Sequence, residues 1–394
     1  MLPRSLVATL LIIVLTFPTG RSRAEQVVKV GIVMPMTGSF AAAGRQVLAG
    51  IRLFAQQHGD SVAGKKIQLI VRDDASIPDQ SKRVAQELIV TDRVSVIAAG
   101  PTPNALAIAP LSREPRIPLV LMISGTSFVT EASPYIVRTS FTLGQQSGIV
   151  ADWALKNGSR QAVVVHSDFA PGSEASRVFV DRFTNGGGQI LETIKVPLAN
   201  PDFAPFLQRA RDLHPDTLFV FVPANGQSGI FARQFVERGL DKAGIKLIGT
   251  GDLTDDEDLA GMGDALLGTV TAGFYSALHP SAVNKAYVEA FRQANPTFRP
   301  NFLSVSGYDG MHLIYSALEN SGGSAEGDVL IGAMKGMTWE SPRGPMSIDP
   351  DTRDVIHNVY IRRVERINGE LYNREFVTFE AVKDPLKDTG QAAN

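Results

Sequence analysis

The chain of 394 residues contains no cysteine. This absence excludes disulfides, a thiol nucleophile, a thiolate metal site and a lipid-modified N-terminal cysteine. A protein of this length buries enough apolar surface to fold without disulfides. An excess of charge of one sign is also lacking, because 38 Lys and Arg residues nearly balance 40 Asp and Glu residues. This balance does not favour binding to nucleic acid or to an anionic membrane surface.

Recognisable catalytic and metal-binding motifs are missing as well. The six histidines are scattered without ligand spacing, and neither G-x-S-x-G nor H-E-x-x-H occurs. The glycine loop at residues 38–44 is not a P-loop, because Arg45 and Gln46 stand where Lys and Ser or Thr are required. The acidic run at 255–258 lacks the spacing of a calcium loop, and we interpret it as solvated charges at a helix N-terminus. We therefore predict that the protein is not an enzyme and holds no metal and no cofactor.

The first 24 residues are typical of a secretory signal peptide. Arg4 supplies a positive residue, residues 6–17 form an apolar stretch, and residues 22–24 offer small side chains at a cleavage site. An uncleaved anchor is the alternative, although the stretch is short for spanning a bilayer. Cleavage near Ala24 would release the mature protein into the periplasm.

Nearly continuous Val, Ile and Leu strands alternate with segments of helical periodicity from residue 27 almost to the C-terminus. This pattern predicts an α/β fold with parallel sheets that are covered by helices on both faces. Two such blocks follow one another, at roughly 27–141 and 143–273. Helices predicted at 284–294 and 304–320 and a strand-rich tail at 355–379 must pack onto sheets that are already built. We therefore expect discontinuous domains joined by several short crossings.

Three loops of the first block lie where strands lead into helices, which is where open α/β sheets bind ligands. These loops, at residues 35–44, 100–104 and 123–128, contain no Lys, Asp, Glu or His. Free N–H groups at the helix starts after Gly38, Pro103 and Gly125 are predicted to receive a carboxylate. The hydroxyls that would add donors belong to Thr102, Ser124 and Thr126. Each hydroxyl could instead cap its own helix.

Aromatic side chains are the second component of the predicted site. Phe40 lies on a glycine loop that should be exposed, which suggests that a ligand covers it. Phe169 on a loop of the second block and Tyr275 at a crossing are placed to face it. The alternative for each ring is packing in the core. Arg138, which precedes a crossing, is interpreted as a structural residue of the hinge and not as a carboxylate partner.

Several longer stretches resemble one family of transport proteins. They are VGIVMPMTGSFAAAG, RDDASIPDQSKRVAQELI, SGTSF, YIVRTSFTLGQQSG, DTLFVFVPANGQSGIFARQFVERGL and ESPRGPMSIDPDTRDVIHNVYIRRV. In this order they resemble the periplasmic substrate-binding proteins of the branched-chain amino acid type, which serve ABC importers. The resemblance implies a type I periplasmic-binding-protein fold, in which two Rossmann-like lobes with parallel sheets are joined by three hinge crossings. Lobe 1 is expected at 25–142 plus 275–345, and lobe 2 at 143–274 plus 346–394.

Within that family, RTSFTLGQQSG and SPRGPMSI resemble most the branch that carries aromatic carboxylates such as hydroxybenzoates. Members that bind leucine hold its ammonium with an acidic residue and line the cleft with tyrosines. The positions expected to match these differ here, which disfavours an amino-acid ligand. The matching residues are Ala43, Phe169, Pro171 and Ala224, with either Gly251 or Asp252 at the position of the acid.

The resemblance implies an extracytoplasmic solute-binding component of an ABC transporter. It would capture a small carboxylate of the hydroxybenzoate or phenylpropanoid type between its lobes, without turnover, and deliver it to the transmembrane permease subunits. We expect a monomer that binds no nucleic acid. Two alternatives stay open at this point. One is a branched-chain amino acid carrier, in which Asp252 faces the cleft and pairs with an ammonium, and the other is a ligand-sensing module.

Overall fold

The computed structural model describes residues 26–224 and 226–387, so the predicted signal peptide lies outside the described residues. The first sheet has six strands in the order β2-β3-β1-β4-β5-β6, all parallel except β2. The strands are β1 Gln26–Met34, β2 Ser61–Val62, β3 Lys65–Asp73, β4 Val96–Ala99, β5 Leu119–Leu121 and β6 Ile136–Arg138. The helices within this part of the chain are α1 Ala41–His58, α2 Pro78–Glu87 and α3 Thr102–Arg113.

The second sheet has nine strands, in the order β12-β13-β14-β11-β10-β9-β7-β8 with β15 paired to β14. Its first strands are β7 Gln161–Ser167, β8 Gln189–Val196, β9 Thr217–Phe221, β10 Lys246–Thr250 and β11 Val270–Gly273. The others are β12 Thr338–Ser341, β13 Gly344–Ile348, β14 Val355–Ile367 and β15 Glu370–Val382. The helices of this block are α4 Leu143–Lys156, α5 Ala170–Asn185, α6 Ala204–Asp212, α7 Gln227–Glu237 and α8 Asp256–Leu259.

Three later helices, α9 Ala282–Ala294, α10 Phe302–Asn320 and α11 Gly327–Met334, return to the first sheet, where α10 packs along α1. The chain therefore crosses between the sheets at 139–142, 274–281 and 335–337. These are the three crossings that the resemblance implies. The α/β class with parallel-rich sheets is confirmed.

The predicted boundary after residue 345 assigns β12 and the start of β13 to lobe 1, but both strands pair into the second sheet. In β13, Met346 pairs antiparallel with His357 of β14, and β12 pairs with β13, so both strands belong to the second sheet. The boundary at 345 therefore falls inside β13. It was misplaced because a short edge hairpin carries little apolar periodicity.

The central strands are buried on both faces, as nearly continuous apolar runs predict. All residues of β4, β5 and β9 are buried. No helix in the described ranges is long and apolar enough to cross a membrane.

Candidate ligand-binding site

A cavity of about 520 Å³, including the space at its mouth, lies between the carboxyl ends of the strands of the two sheets. One wall, called the first wall, comes from the loops after β1, β4 and β5. It consists of Phe40, Ala43, Pro101, Thr102, Ile123, Ser124 and Gly125. The second wall comes from the carboxyl ends of β7, β9 and β10. It consists of Phe169, Pro171, Phe221, Pro223, Ala224 and Asp252.

Four further residues close the cavity between the walls. Phe141 and Leu143 come from the first crossing and the start of α4, and Phe302 and Leu303 open α10. An apolar lining with few polar groups is typical of small-molecule sites. Thr102, Ser124 and Asp252 are the only lining residues with polar side chains in the part of the chain that the structure describes.

Two buried hydroxyls form the polar part of the first wall. The hydroxyl oxygens of Thr102 and Ser124 are 3.0 Å apart, and Thr102 also donates to the hydroxyl of Thr126 at 3.3 Å. Thr102 is the first residue of α3, and no side chain caps this helix within the described range 26–224. The hydroxyl of Thr126 does not cap the 3₁₀ segment that follows it either. The hydroxyls thus bond to one another and lie beside the N-terminus of α3, which favours an anion.

The predicted free N–H groups at the other two loops already have partners. The N–H of Phe40 donates to the Ser76 hydroxyl at 3.0 Å. The N–H of Ser124 donates to the Ser140 hydroxyl at 3.2 Å, and the N–H of Ser127 donates to the Glu174 carboxylate at 3.0 Å. The prediction of free N–H groups after Gly38 and Gly125 is therefore wrong at Phe40 and Ser127, because side chains distant in sequence accept from them. The start of α3 is where an anion would find donors.

The loop that carries Phe40 is held by the carboxylate of Asp73, at the end of β3. Asp73 accepts hydrogen bonds from the N–H groups of Met36 and Ala75, at 2.9 and 2.8 Å, and from the hydroxyl of Thr37 at 2.7 Å. Burial alone would raise the pKa of Asp73, but these hydrogen bonds together lower it. Asp73 therefore holds the turn that leads to Phe40.

Asp74 fixes the start of α3 in the same way. Its carboxylate accepts from Asn104 at 2.8 Å and from the hydroxyl of Ser81 at 2.9 Å, and all three side chains are buried. Burial raises the pKa of Asp74, although the hydrogen bonds from Asn104 and Ser81 oppose that shift. The adjacent acids after β3 therefore position two different parts of the first wall.

Two glycines allow the first loop to pass close to its neighbours. Gly38 has φ +81°, a left-handed conformation that favours glycine, and a Cβ there would lie 2.3 Å from the carbonyl oxygen of Ala75. A Cβ on Gly44 would lie 1.9 Å from the carbonyl oxygen of Pro35. Both positions therefore require glycine so that the loop can pack against neighbouring backbone.

Arg138 fixes the loop that carries Ser124. Its guanidinium donates to the carbonyl oxygens of Ser124 at 2.7 Å and Thr126 at 2.6 Å, and it pairs with Asp354 at 2.9 Å. The side chain is fully buried and does not line the cavity. A structural role for Arg138 beside the first crossing agrees with the prediction, and the structure adds that this residue supports the first wall.

Phenylalanine rings dominate the apolar surface of the cavity. The ring centroids of Phe40 and Phe169 are 6.5 Å apart, so the two walls touch through these rings. Phe169 also stacks on Phe221 at 6.0 Å, and Phe141 meets Phe302 edge-on at 5.6 Å. Rings at these separations attract one another and would attract a flat aromatic ligand.

Asp252 is the one ionisable side chain of the cavity within the described chain. It lies on the second wall in a 3₁₀ segment after β10, and it accepts a hydrogen bond from Thr250 at 3.2 Å. Burial raises the pKa of Asp252 to about 6, and the hydrogen bonds and the charge of Arg362 oppose the shift. The N–H of the preceding Gly251 donates to Gln146 at 2.8 Å, which fixes this segment against α4.

Nine of the twelve predicted site residues line this one cavity, and three do not. Pro103 is half-buried in the first turn of α3 and points away from the lining, and Thr126 contacts the site only through Thr102. Tyr275 is fully buried, and its ring lies 6.4 Å from Tyr287 in the core. The structure therefore does not bring Tyr275 to Phe40, because the second crossing buries this ring behind the site.

Sequence reasoning did not find eight of the lining residues. They are Pro101, Ile123, Phe141, Leu143, Phe221, Pro223, Phe302 and Leu303. Most are apolar residues at the ends of strands or the starts of helices, and their sequence pattern cannot be distinguished from that of core residues. The only signal that could have found them is their position at a strand end or a crossing.

The acidic run at 255–258 opens helix α8, as predicted, but only Glu257 and Asp258 are partly exposed to solvent, which corrects the interpretation of all four as solvated charges. Asp255 and Asp256 are buried. Asp255 caps α8 by accepting from the N–H of Glu257 at 3.1 Å, and it also accepts from Asn301 at 3.1 Å. No group of acids and histidines suited to a metal ion occurs in the described ranges.

Two α/β sheets joined by three crossings, with a cavity at the carboxyl ends of their strands, define a two-lobed ligand-binding protein. Residues 27–370 match the family described as periplasmic binding protein, so the chain belongs to that family. A curated relative from Brucella abortus (strain 2308), Leu/Ile/Val-binding protein homolog 6, is 40% identical over 364 residues, covering 91% of this chain and 93% of the relative.

Two similar solved structures contain aromatic acids. One is a solute binding protein of an ABC transporter from Rhodopseudomonas palustris BisB5 in complex with 3,4-dihydroxybenzoic acid, with 60% identity and a TM-score of 0.90. The other, from Rhodopseudomonas palustris HaA2, is in complex with p-hydroxybenzoic acid, with 39% identity and a TM-score of 0.89. Each alignment covers 92% of this chain and 100% of the other chain. The family and these neighbours are substrate-binding transport proteins, which are not enzymes.

Proposed function

We propose that the protein is the extracytoplasmic solute-binding component of an ABC transporter that captures a small aromatic carboxylate, of the hydroxybenzoate or phenylpropanoid type. The observation that carries this proposal is the composition of the cavity. Two buried hydroxyls, Thr102 and Ser124, lie beside an uncapped helix start, and five phenylalanines surround the remaining space. The aromatic acids in the two similar solved structures support the same ligand class.

The ligand would lie with its carboxylate at Thr102, Ser124 and Gly125 and its ring packed against the phenylalanine pair of Phe40 and Phe169. A helix N-terminus stabilises an anion by about 0.3–1 kcal/mol, and by up to about 2 kcal/mol when partly buried. Aromatic pairs contribute about 0.5–1.5 kcal/mol beyond the burial of area. Ala43, Pro171 and Ala224 are small or compact residues that leave room for the ring.

The two sheets would form the centres of two lobes that close over the ligand. The open form takes the ligand on the first wall, and the closed form is favoured only by as much as the ligand prefers it over the open form. The closed protein would then dock on the transmembrane permease subunits. Export through a signal peptide cleaved near Ala24 and action as a monomer belong to the same proposal.

A second candidate is a carrier of branched-chain amino acids. Asp252 lies in the cavity, as this alternative requires. The relative from Brucella abortus is named a Leu/Ile/Val-binding protein homolog, which also favours it. An ammonium would pair with the Asp252 carboxylate. The absence of tyrosine among the lining residues that the structure describes favours the aromatic acid.

Isothermal titration calorimetry of the mature chain separates the two candidates. We expect exothermic binding of 4-hydroxybenzoate or a related aromatic acid and no binding of leucine at the same concentration. Tight binding of leucine without a response to any aromatic acid would contradict the proposal. A thermal-shift screen that includes phenylpropanoids and fatty acids would rank the cargo compounds.

A further inference from the structure

The polar groups of the cavity lie on opposite walls. Thr102 and Ser124 belong to the first wall, Asp252 belongs to the second wall, and the other lining residues between them in the described chain have apolar side chains or none. A ligand that satisfies both walls must therefore carry two polar groups that are separated by an apolar body.

The two polar walls demand different chemistry from the ligand. The hydroxyls of Thr102 and Ser124 can donate, and the start of α3 favours negative charge. The ionised carboxylate of Asp252 can only accept hydrogen bonds and repels another carboxylate. The carboxylate of the ligand is therefore directed to the first wall, and the group that faces Asp252 must be a hydrogen-bond donor.

Asp252 has three local donors, the Thr250 hydroxyl and the backbone N–H groups of Asp252 and Ala224, and its side chain also lines the cavity. A carboxylate offers about four acceptor sites, so one remains for a donor on the ligand. Thr250 donates to one carboxyl oxygen at 3.2 Å, and Gln146 holds the adjacent Gly251 at 2.8 Å, which fixes the segment. Arg362 lies behind Asp252 in the protein and is turned towards the carbonyl oxygens of Gly251 and Tyr275. Asp252 is thus a rigid acceptor with a positive charge behind it.

We propose that Asp252 accepts a hydrogen bond from a hydroxyl group on the ligand ring, at the end opposite the carboxylate, and so selects hydroxylated benzoates over benzoate. This inference rests on the proposed function, since it assigns the orientation and the ring substituent of the aromatic acid. A ligand without this hydroxyl leaves the remaining acceptor site of a buried carboxylate unfilled, beside the sites that Thr250 and two backbone N–H groups already fill. A missing partner of this kind costs about 1–3 kcal/mol, a factor on the order of ten to a hundred in affinity.

The test compares three ligands that differ only at the ring position opposite the carboxylate. Calorimetry at pH 8 on the mature chain would use 4-hydroxybenzoate, 4-methoxybenzoate and benzoate. We expect 4-hydroxybenzoate to bind at least about tenfold more tightly than either of the others, because the methoxy group has similar shape but no hydrogen to donate. Equal affinities for 4-hydroxybenzoate and 4-methoxybenzoate would overturn the inference and leave the proposed function standing.

Variants of Asp252 assign the preference to this residue. In Asp252→Ala we expect the preference for 4-hydroxybenzoate over benzoate to fall to about threefold or less, through loss of the hydroxyl's partner. Asp252→Asn, which keeps an acceptor for Thr250, guards against loss of folding and should give an intermediate preference. Asp168→Asn is the matched control, because Asp168 is exposed beside Phe169 and pairs with Lys195 outside the cavity; it should keep the wild-type preference.

The remaining outcomes are decisive as well. An unchanged preference in both Asp252 variants would overturn the inference. Failure of every aromatic acid to bind the wild-type chain, with leucine binding that Asp252→Ala abolishes, would overturn the proposed function together with the inference. Benzoate binding that is as tight as that of 4-hydroxybenzoate would remove only the inference.

Discussion

At the scale of single residues, the cavity depends on side chains whose role is visible only once their neighbours are known. Thr102 and Ser124 were predicted as donors because each follows a strand on a loop without charged side chains. The identity of the acid at the second wall could not be decided from the sequence between Gly251 and Asp252. In the structure Asp252 lines the cavity, and Gly251 is fixed through its backbone.

The aromatic residues show the limit of prediction most clearly. Phe40 was predicted because its glycine loop should be exposed, which suggested that a ligand covers the ring. Phe141 and Phe302 are equally part of the cavity, yet their sequence context is that of ordinary core residues. Tyr275 was predicted on its position at a crossing, and tertiary packing buries it elsewhere. The sequence shows which residues follow the carboxyl end of a strand. Whether the side chain of such a residue faces the cavity or the core depends on packing with distant segments.

Replacing Phe40 with alanine tests the aromatic contact between the walls. We expect Phe40→Ala to weaken 4-hydroxybenzoate binding by about 1–3 kcal/mol, the scale of losing a buried aromatic contact. Calorimetry on the wild type and the variant measures the difference. Phe128→Ala is the matched control, because the Phe128 ring is 46% exposed outside the cavity. Wild-type affinity in Phe40→Ala would show that this ring does not touch the ligand.

At the scale of elements, loops and helix starts are held by side chains that come from distant segments. The loop of Ser124 and Thr126 is fixed by Arg138, and Arg138 is neutralised by Asp354, which precedes β14. The sequence predicts the strand and the loop but not this support, because the two partners are more than two hundred residues apart. The site is therefore built jointly by the first block and the C-terminal tail.

Replacing Arg138 with methionine tests this support. We expect Arg138→Met to lower the free energy of unfolding by about 3–5 kcal/mol. The four buried carbonyl oxygens that Arg138 binds lose this donor, and of its two charged partners Asp354 keeps only Lys387, at 2.8 Å. Urea denaturation of the two proteins measures this difference. The exposed pair of Arg116 and Asp328 supplies the control, since Arg116→Met should leave the unfolding midpoint almost unchanged. A small effect of Arg138→Met would contradict the structural role.

Helix α5 and the loop after β5 form a second contact between the sheets. Glu174 of α5 accepts the N–H of Ser127 with both carboxyl oxygens, at 3.0 and 3.1 Å, and Asp384 lies nearby. Burial raises the pKa of Glu174 from 4.5 to about 7, and the charge of Asp384 adds to the shift. The folded protein thus favours the protonated form of Glu174.

This shift predicts the direction of a pH effect on stability. A group whose pKa is raised on folding contributes its full stability below the unfolded value near 4.5, and this contribution is lost as the pH rises towards 7. The loss is at most about 3 kcal/mol at 1.36 kcal/mol per pH unit. In Glu174→Gln the amide oxygen still accepts from Ser127, so we expect a flatter profile. Thermal unfolding of both proteins from pH 4.5 to 8 measures the difference, and parallel profiles would contradict the prediction.

At the scale of the whole molecule, the α/β class was predictable because alternating buried strands and helices carry a strong periodic signal. The number of crossings came from the resemblance to the periplasmic substrate-binding proteins. The membership of β12 and β13 was not, since short edge strands carry a weak one. The cavity follows from the topology, because both sheets direct the carboxyl ends of their strands to one region. Which side chains fill that region is decided by contacts between segments far apart in sequence.

The central claim is that an aromatic carboxylate lies between the two walls with its carboxylate on the hydroxyls of the first wall. The most direct test is a crystal structure of the mature chain with 4-hydroxybenzoate. We predict carboxylate oxygens within hydrogen-bond distance of Thr102 and Ser124, with the ligand ring in contact with Phe40 and Phe169. A ligand bound outside this cavity, or one whose carboxylate faces the second wall, would contradict the account.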